Sequence, residues 1–452
     1  MPRPSRAERQ LRLGVFVQAP GHHVGGWRHR DAVSSGWPNL GLMQSIAATA
    51  ERGRFDLFFL GDGFATGYDE HPATIGKFEP LTLLAALAMG TSRIGLAATA
   101  STTYGEPYHV ARAFASLDHL SAGRAAWNVV TTAYDKSAAV FGRAHPPHAE
   151  RYAIAEEFVT ACRLLWDSWD DDAFVGDKAG GRFVRPGSLH PPRFAGRYLS
   201  VQGALNVPRP PQGHPVLIQA GSSGPGQALA ARIADVVFTA QNDMVEATAF
   251  RRDLRAQAAQ AGRRPDRVLV MPGVMPVVGR TRQEAESMLA EHGALMDPLQ
   301  ALTVLSERLG ADLSAYPLDG PVPDLPDTEH LKSRAALLLH TARRDHLTLR
   351  QLGNRVAAAR GHLLLVDTPD AIAATLARWF EAGAADGFNV MPPFFPGQFE
   401  AFVDGVVPRL QARGLFRTDY AGSTLREHLG LPRPARSDDP GKSGSCASSP
   451  DA

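Results

Sequence analysis

A short apolar run at residues 55–60 ends in Gly61-Asp62-Gly63, and similar runs recur along the chain, each closing in small or polar residues ahead of a helical pattern. Apolar runs of roughly four to eight residues between such residues are typical of buried parallel strands. Eight of these runs alternate with helical patterns between residues 13 and 391. The alternation predicts an α/β fold, a (β/α)8 TIM barrel with insertions, rather than an open sheet.

The predicted elements lie in one large domain at residues 1–432, with insertions near 172–214 and 311–345. The strands are predicted at 13–18, 55–60, 94–99, 125–131, 215–220, 235–239, 268–276 and 387–391, with a strand-like piece at 197–201 in the first insertion. The helices are predicted at 40–52, 80–89, 107–120, 148–168, 227–233, 245–261, 281–309, 369–381 and 399–410. Residues 433–452 are rich in Ser, Gly, Pro and Asp, which predicts a disordered tail.

The charge balance and the cysteines narrow the class of protein. The 452 residues include 47 basic and 46 acidic side chains, a net charge of +1, so nucleic acid and anionic membranes are poor candidate partners. No apolar run approaches the roughly 20 residues that span a bilayer, and the basic start lacks the apolar segment of a signal peptide. Cys162 and Cys446 cannot build a disulfide framework, so a cytoplasmic location is predicted.

Polar and aromatic side chains occur where the predicted strands end, which is the face on which barrels bind ligands. Asp62 follows an apolar strand, so its carboxylate could accept a hydrogen bond from a ring N–H or a ribityl hydroxyl, or it could cap its own loop. Thr99 ends the next strand and Phe238 a later one. Asn128 lies inside a strand, where its amide reaches either backbone or a ligand. We expect these side chains to converge at one mouth.

Gly221-Ser222-Ser223-Gly224 joins a predicted strand to a helix, so backbone N–H groups, two hydroxyls and the helix dipole are available to an anion. A Gly/Ser turn of this kind is also common as an ordinary loop. His148 and Tyr152 stand four residues apart and share a face in the first turns of another helix. They either hold the same phosphate or are an exposed histidine beside a core tyrosine.

Other motifs are weak or missing. His22, His23 and His29 occur without an H-E-x-x-H pattern or cysteine ligands, so no metal is expected. No G-x-G-x-x-G follows a strand, and neither a P-loop nor a G-x-S-x-G elbow is found. The residues by themselves therefore indicate a barrel that binds a phosphorylated, ring-bearing ligand.

Eight stretches of the sequence carry a resemblance to a known family. They are ERGRFD at 51–56, EPLTL at 79–83, ATASTTYGEPYHVAR at 98–112, WNVVT at 127–131, LWDSW at 165–169, PRPPQG at 208–213, GAADGF at 383–388 and TLREHLG at 424–430. Through them, residues 11–432 resemble the bacterial-luciferase-like flavin monooxygenases. The specific group contains nitrilotriacetate monooxygenase component A, dibenzothiophene-sulfone monooxygenase and pristinamycin synthase.

The resemblance implies an oxygenase component that receives reduced FMN (FMNH2) from a separate NAD(P)H:flavin reductase and works as a homodimer or homotetramer. A flavin C4a-(hydro)peroxide formed with O2 would insert one oxygen atom into a small organic substrate, so no catalytic side chain is named. Seven residues are implied to bind the flavin: Asp62, Thr99, Asn128, His148, Tyr152, Ser222 and Ser223. Four aromatic residues are implied to line the isoalloxazine and substrate pocket: Phe16, Trp27, Phe59 and Phe238.

Several alternatives stay open. An F420-dependent oxidoreductase on the same barrel would transfer hydride without O2, and a non-catalytic flavin-binding protein would keep the phosphate site but lack a substrate pocket. Val24 replaces a histidine that often precedes the Gly-x-Trp of the first loop in the family. The substrate could be an aminopolycarboxylate, an organosulfur compound or a heterocycle. The aromatic walls and Val24 favour an apolar organosulfur or heterocyclic compound.

Overall fold

The computed structural model describes residues 9–33, 38–64, 75–221, 223–296, 298–325 and 332–436. Within these ranges the strands are β1 (Arg12–Val17), β2 (Leu57–Leu60), β3 (Gly95–Ser101), β4 (Ala125–Val130), β5 (Phe174–Asp177), β6 (Arg182–Val184), β7 (Arg193–Ala195), β8 (Ser200–Gln202), β9 (Val216–Gln219), β10 (Val236–Thr239), β11 (Leu269–Val278), β12 (Leu363–Asp367) and β13 (Gly387–Val390).

The helices of the same ranges are α1 (Leu40–Arg52), α2 (Pro80–Ala88), α3 (Pro107–Leu120), α4 (Ser137–Phe141), α5 (His148–Trp166), α6 (Gly224–Ile233), α7 (Met244–Gln260), α8 (Arg282–Ala294), α9 (Pro298–Leu309), α10 (Lys332–Arg344), α11 (Leu349–Ala359), α12 (Pro369–Glu381), α13 (Gly397–Ala401), α14 (Val407–Ala412) and α15 (Leu425–Leu429). A π-helical segment, Phe402–Val406, joins α13 to α14. None of these helices combines the length with the apolar character that crossing a bilayer requires.

Eight parallel strands of the described chain close into a barrel, which confirms the predicted fold. Going round the ring from β1, the order is β2, β3, β4, β9, β10, β11 and β13, and β13 pairs with β1 again. A further strand, β12, was not predicted and pairs with the outer half of β11. Its short apolar run fits a strand or a buried helical turn equally well, so its sequence alone did not decide.

Side chains alternate along each barrel strand between two environments. On β1, Val15 belongs to the core shared with the surrounding helices, whereas Phe16 packs inside the barrel against Phe59, its register partner on β2. Because all eight strands are parallel, their carboxyl ends open at a single mouth. Inward-facing side chains near those ends therefore decide what the barrel can bind.

The amino-terminal end of the barrel is closed by the last described segment. Leu425 and Leu429 of α15 pack against the inward-facing residues of the barrel. Gly95 opens β3 at this point, and a Cβ there would stand 2.5 Å from the Leu425 side chain. Beside it, Arg426 Nη2 donates to Asp235 Oδ2 at 3.0 Å. A ligand therefore enters through the carboxyl-terminal mouth.

The two insertions differ from their predicted outlines. The first contains two antiparallel hairpins, β5–β6 and β7–β8, and the strand-like piece predicted at 197–201 is β8 instead. The helix predicted at 281–309 is two helices, because Pro298 lacks the N–H that a continuous helix needs and restricts the residue before it. The stretch predicted as irregular at 311–345 contains α10. Helices α9, α10 and α11 share a small apolar core that includes Leu305, Leu338 and Leu352.

The tail predicted as disordered at 433–452 is described only as far as residue 436. In that part, Arg433 Nη1 donates to Asp171 Oδ2 at 2.7 Å, so the first residues of the predicted tail are fixed to the first insertion. The remaining residues, 437–452, lie outside the described ranges.

Candidate functional site

Thr99 and Asn128 lie side by side at paired positions of β3 and β4. Thr99 Oγ1 donates to the Leu60 carbonyl oxygen at 2.7 Å, and Asn128 Nδ2 donates to Thr99 Oγ1 at 2.8 Å. Because a hydroxyl has one hydrogen to give, this chain of bonds fixes the orientation of the amide. Asn128 Oδ1 is left as a buried acceptor without a partner among the described residues. Such an atom requires a donor, which a ligand can supply.

Asp62 follows β2 at the same mouth, but its carboxylate is already engaged. Lys77 Nζ lies 2.9 Å from Asp62 Oδ1, and the Asp62 side chain is 16% exposed. In the described part of the chain no hydrogen bond joins Asp62 to Thr99 or Asn128. A carboxylate accepts at both oxygens, so the ion pair leaves Asp62 Oδ2 able to accept a further bond.

His148 and Tyr152 share one face in the first turns of α5, and their ring centroids are 5.0 Å apart. The Tyr152 hydroxyl reaches the loop that follows β9, where a Cβ built on Gly221 would stand 2.9 Å from it. A side chain at 221 would fill this space. The structure therefore brings the α5 pair to the Gly-Ser loop, as the sequence predicted.

Ser223 is the N-cap of α6, and its Oγ accepts from the Gly226 N–H at 3.3 Å. The hydroxyl hydrogen of a capping serine stays available to a second acceptor. The positive end of the α6 dipole lies at the same position. Ser222, the other predicted phosphate ligand, lies outside the described residues.

A buried cation near this loop was missed by the sequence analysis. Arg151 precedes Tyr152 on α5, is 6% exposed, and donates from Nη1 to the Thr132 carbonyl oxygen beyond the end of β4. Its Nε has no partner, and no carboxylate of the described residues faces it. Burial lowers the pKa of the guanidinium, opposed by the phenol groups of Tyr152 and Tyr104. A buried cation without a counter-charge is costly, so the mouth favours an anion here.

Phe16, Phe59 and Phe238 form a cluster inside the barrel, contributed by β1, β2 and β10. Their ring centroids are separated by 4.8 Å for Phe16 and Phe59, 5.3 Å for Phe16 and Phe238, and 5.7 Å for Phe59 and Phe238. These distances are typical of favourable aromatic pairs. The three rings make an apolar surface, which we call the aromatic floor.

Trp27, the fourth predicted wall residue, is not part of the aromatic floor. It lies in the 3-10 turn Gly26–Arg28, is 38% exposed, and makes no ring contact with the three phenylalanines among the described contacts. Val24, a few residues earlier, is buried against Met296 and Ala301. The first loop therefore places Trp27 at the rim and turns Val24 towards the second insertion.

Two histidines flank the aromatic floor, and neither was predicted to do so. His22 Nε2 lies 2.7 Å from the Phe16 carbonyl oxygen, and the two rings are 4.9 Å apart. His362 stacks on Phe238 with 5.2 Å between centroids and 5° between planes. Both imidazoles therefore border the space above the rings.

Arg360 supplies positive charge on the same side of the mouth. It is the C-cap of α11, and its Nη1 donates to Gln18 Oε1 just beyond β1. Burial, together with the nearby Arg360 charge, lowers the pKa of both His22 and His23 to about 3. Both histidines are neutral near pH 7, which leaves Arg360 as the charged member of this group.

The predicted histidines are occupied with structural contacts. His23 Nδ1 accepts from the Gly25 N–H at 3.1 Å, and His29 stacks on Phe394 with 4.4 Å between centroids. Within the described ranges, no group of three or more His, Cys, Asp or Glu side chains is arranged to hold a metal ion.

The missed residues differ in whether a sequence signal existed. Arg151 has no acidic residue three or four positions away on α5, so it lacks an intrahelical partner, and this could have marked it. Arg360 and His362 lie in a stretch, 346–367, to which no element was assigned. Their place at the mouth depends on α11 and β12, which tertiary packing defines.

The chain belongs to the luciferase-like monooxygenase family, whose model matches residues 13–386. N-acetyl-S-(2-succino)cysteine monooxygenase of Bacillus subtilis (strain 168) is 49% identical, over 94% of this chain and 98% of that protein. Nitrilotriacetate monooxygenase component A of Aminobacter aminovorans is 46% identical, over 95% and 98%. A crystal structure of riboflavin lyase with modified FMN and riboflavin has a TM-score of 0.84 at 32% identity, covering 94% and 96%. The resemblance found in the sequence is thus confirmed.

Proposed function

We propose that this chain is the oxygenase component of a two-component monooxygenase that binds reduced FMN and inserts one oxygen atom of O2 into a small organic substrate. The observation that carries the proposal is the pairing of two features in one mouth. On one side, the buried Arg151 guanidinium lacks a counter-ion among the described residues. In the middle, the aromatic floor lies within the same barrel. A phosphorylated ligand with a flat ring system satisfies both.

The residues present fit FMN at its two ends. At the phosphate end, His148, Tyr152 and Ser223 would donate hydrogen bonds, with Ser222 as a further predicted donor and Arg151 as the source of charge. At the ring end, Asn128 Oδ1 is a buried acceptor without a partner, which suits a ring N–H. Thr99 holds the Asn128 amide in place, and Asp62 Oδ2 is available to a ribityl hydroxyl or a ring N–H.

Bound reduced flavin supplies the activation of O2, and the side chains of the mouth supply binding, orientation and exclusion of water. Phe16, Phe59 and Phe238 keep water from the ring face. Trp27, at the rim, is placed to cover the substrate. The proposal assigns no nucleophile and no metal to this chain.

The names of two relatives support the partner and the substrate class. The Aminobacter protein is a component A, which fits a separate reductase as the source of reduced FMN. N-acetyl-S-(2-succino)cysteine and nitrilotriacetate, the compounds in the two names, are small acids with several carboxyl groups. A homodimer or homotetramer completes the proposal for this chain.

Flavin binding and O2 reactivity test the proposal directly. Reduced FMN is titrated into the protein without air, and the complex is then mixed with oxygenated buffer while the absorbance of oxidised flavin is followed. We expect tight binding and reoxidation much slower than for free flavin. Reoxidation of bound flavin at the rate of free flavin would contradict an oxygenase, and reduced F420 would then be tested.

A matched pair of tyrosine variants checks the phosphate site. Tyr152→Phe removes a hydroxyl beside Gly221 and should weaken binding of FMN about tenfold. Tyr420→Phe removes a hydroxyl that donates to the Phe55 carbonyl oxygen at 2.7 Å, at the amino-terminal end, and should leave FMN binding unchanged. If riboflavin, which lacks the phosphate, loses as much affinity as FMN in Tyr152→Phe, the phosphate assignment is wrong.

A further inference from the structure

Arg360 has a backbone conformation that an L residue adopts only under constraint. Its φ is 52°, in the left-handed region where a helix C-cap usually has glycine. From there the side chain crosses to the end of β1 and donates to Gln18 Oε1. An arginine kept where glycine is favoured is an observed outlier from which a function can be inferred.

Gln18 places the Arg360 guanidinium at the edge of the aromatic floor. A Cβ built on Gly61, at the end of β2, would stand 3.0 Å from the Phe16 ring and 3.9 Å from Gln18 Nε2. Gln18 therefore lies over the junction of β1 and β2, next to Phe16. The bond from Arg360 brings the positive charge to this position.

His362 extends the same polar rim across the barrel. It lies two residues beyond Arg360 and stacks on Phe238. A Cβ on Gly273 would stand 2.3 Å from His362 Nδ1, so the glycine in β11 is what lets the imidazole reach over the barrel interior. Charge from Arg360 and imidazole from His362 thus face the space above the aromatic floor.

The neighbouring histidines add hydrogen-bonding groups without adding charge. Burial and the Arg360 charge lower the pKa of His22 and His23 to about 3. The nearest carboxylates described beside this group, Asp31 and Glu291, face His29 at 3.8 Å. Neutral imidazoles beside a guanidinium suit an anionic group better than a second cation.

A cavity of about 700 Å3 lies against this rim, between α8, α11 and β12. Its lining combines apolar and polar residues, among them His23, Leu289, Asn354, Arg355, Leu364 and Glu286. His23 belongs both to the cavity wall and to the group near Arg360. The cavity is therefore large enough and placed to admit a small organic molecule to the rim.

We propose, on the basis of the flavin site proposed above, that the substrate is a small organic acid and that Arg360, steadied by Gln18, binds its carboxylate at the mouth. The rest of the substrate lies over the aromatic floor. A neutral, wholly apolar substrate would leave the guanidinium facing an apolar group, which is unfavourable. The Arg151 side of the mouth takes the flavin phosphate, so the two anions have separate cations.

Calorimetry on the FMN-loaded protein tests this assignment. The probes are N-acetyl-S-(2-succino)cysteine and nitrilotriacetate, each compared with its fully esterified, neutral form. We expect at least one free acid to bind more than tenfold tighter than its ester. Arg360→Met should weaken that acid at least tenfold, and Arg360→Lys should restore part of the loss. FMN affinity should stay unchanged in both variants.

Two further variants separate charge from backbone strain and from general effects on α11. Arg360→Gly relieves the left-handed conformation and should make the protein more stable while weakening the acid. Arg350→Met removes an exposed arginine from the same helix, one that pairs with Asp319 at 2.7 Å, and should change neither property.

The outcomes distinguish this proposal from the one on which it rests. Failure of the wild-type protein to bind FMN would remove the flavin site itself. Normal FMN binding, with esters binding as well as acids, with no acid binding at all, or with full affinity in Arg360→Met, would overturn only the assignment of Arg360.

Discussion

The two ends of the barrel treat buried arginine in opposite ways. At the amino-terminal end, Arg124 is 3% exposed and donates to the carbonyl oxygens of Ala88, Thr91, Ile94 and Ser121. At the mouth, Arg151 is 6% exposed and donates only to the Thr132 carbonyl oxygen among the described residues. Buried polar groups that are fully hydrogen-bonded stabilise one structure, whereas an unsatisfied one costs stability unless something binds it. The amino-terminal end is therefore built for stability and the mouth for binding.

The largest effect expected from this contrast comes from the amino-terminal end. Asp235→Asn leaves Arg426, 5% exposed, without the carboxylate that it contacts at 3.0 Å. Removing one partner of a buried ion pair costs about 3–5 kcal/mol. Denaturant unfolding should show this loss, while FMN affinity of the folded protein stays the same. A variant of wild-type stability would mean that this end is not more tightly built than the mouth.

The next effect reverses the pattern at the mouth. Arg151→Met should weaken FMN by about 1.5–3 kcal/mol, the range for a charge-assisted hydrogen bond, with unfolding free energy unchanged or higher. The matched control is Arg124→Met, which should destabilise the protein and leave FMN affinity unaltered. Equal loss of stability in both variants would show that Arg151 is a structural residue like Arg124.

Acid sensitivity should also come from the mouth. Burial lowers the pKa of His22 and His23 to about 3 and that of His292 to about 4, against an ordinary value of 6.5. The unfolded chain therefore takes up protons first as the pH falls below 6.5. Stability is complete above that value and is lost towards the folded pKa values, by about 1.4 kcal/mol per pH unit for each histidine.

Denaturant unfolding between about pH 7 and pH 4 measures this slope. His22→Gln removes one titrating group, so its stability should fall less steeply with acid than that of the wild type. An identical slope in the variant would mean that His22 does not take up a proton on unfolding in this range.

What the sequence could predict follows the same division. The barrel, and most of its helices, depend on local apolar periodicity, and the structure confirms them. His148 and Tyr152 were predictable because helical spacing fixes their shared face. Arg360 was not, because its position depends on α11 packing in the second insertion and on Gln18, 342 residues away in sequence. Long-range placement of this kind leaves no periodic signal.

The smallest effect tests whether burial, rather than the ion pair itself, makes the amino-terminal end strong. Arg264 Nη2 lies 2.6 Å from Asp266, closer than the 3.0 Å between Arg426 and Asp235, but both exposed side chains are more than half accessible to water. Water screens such a pair and ordering the side chains offsets the attraction. Arg264→Met should therefore leave the denaturation midpoint unchanged within error. A loss comparable to that of Asp235→Asn would show that proximity of charges, and not their burial, separates the two ends of the barrel.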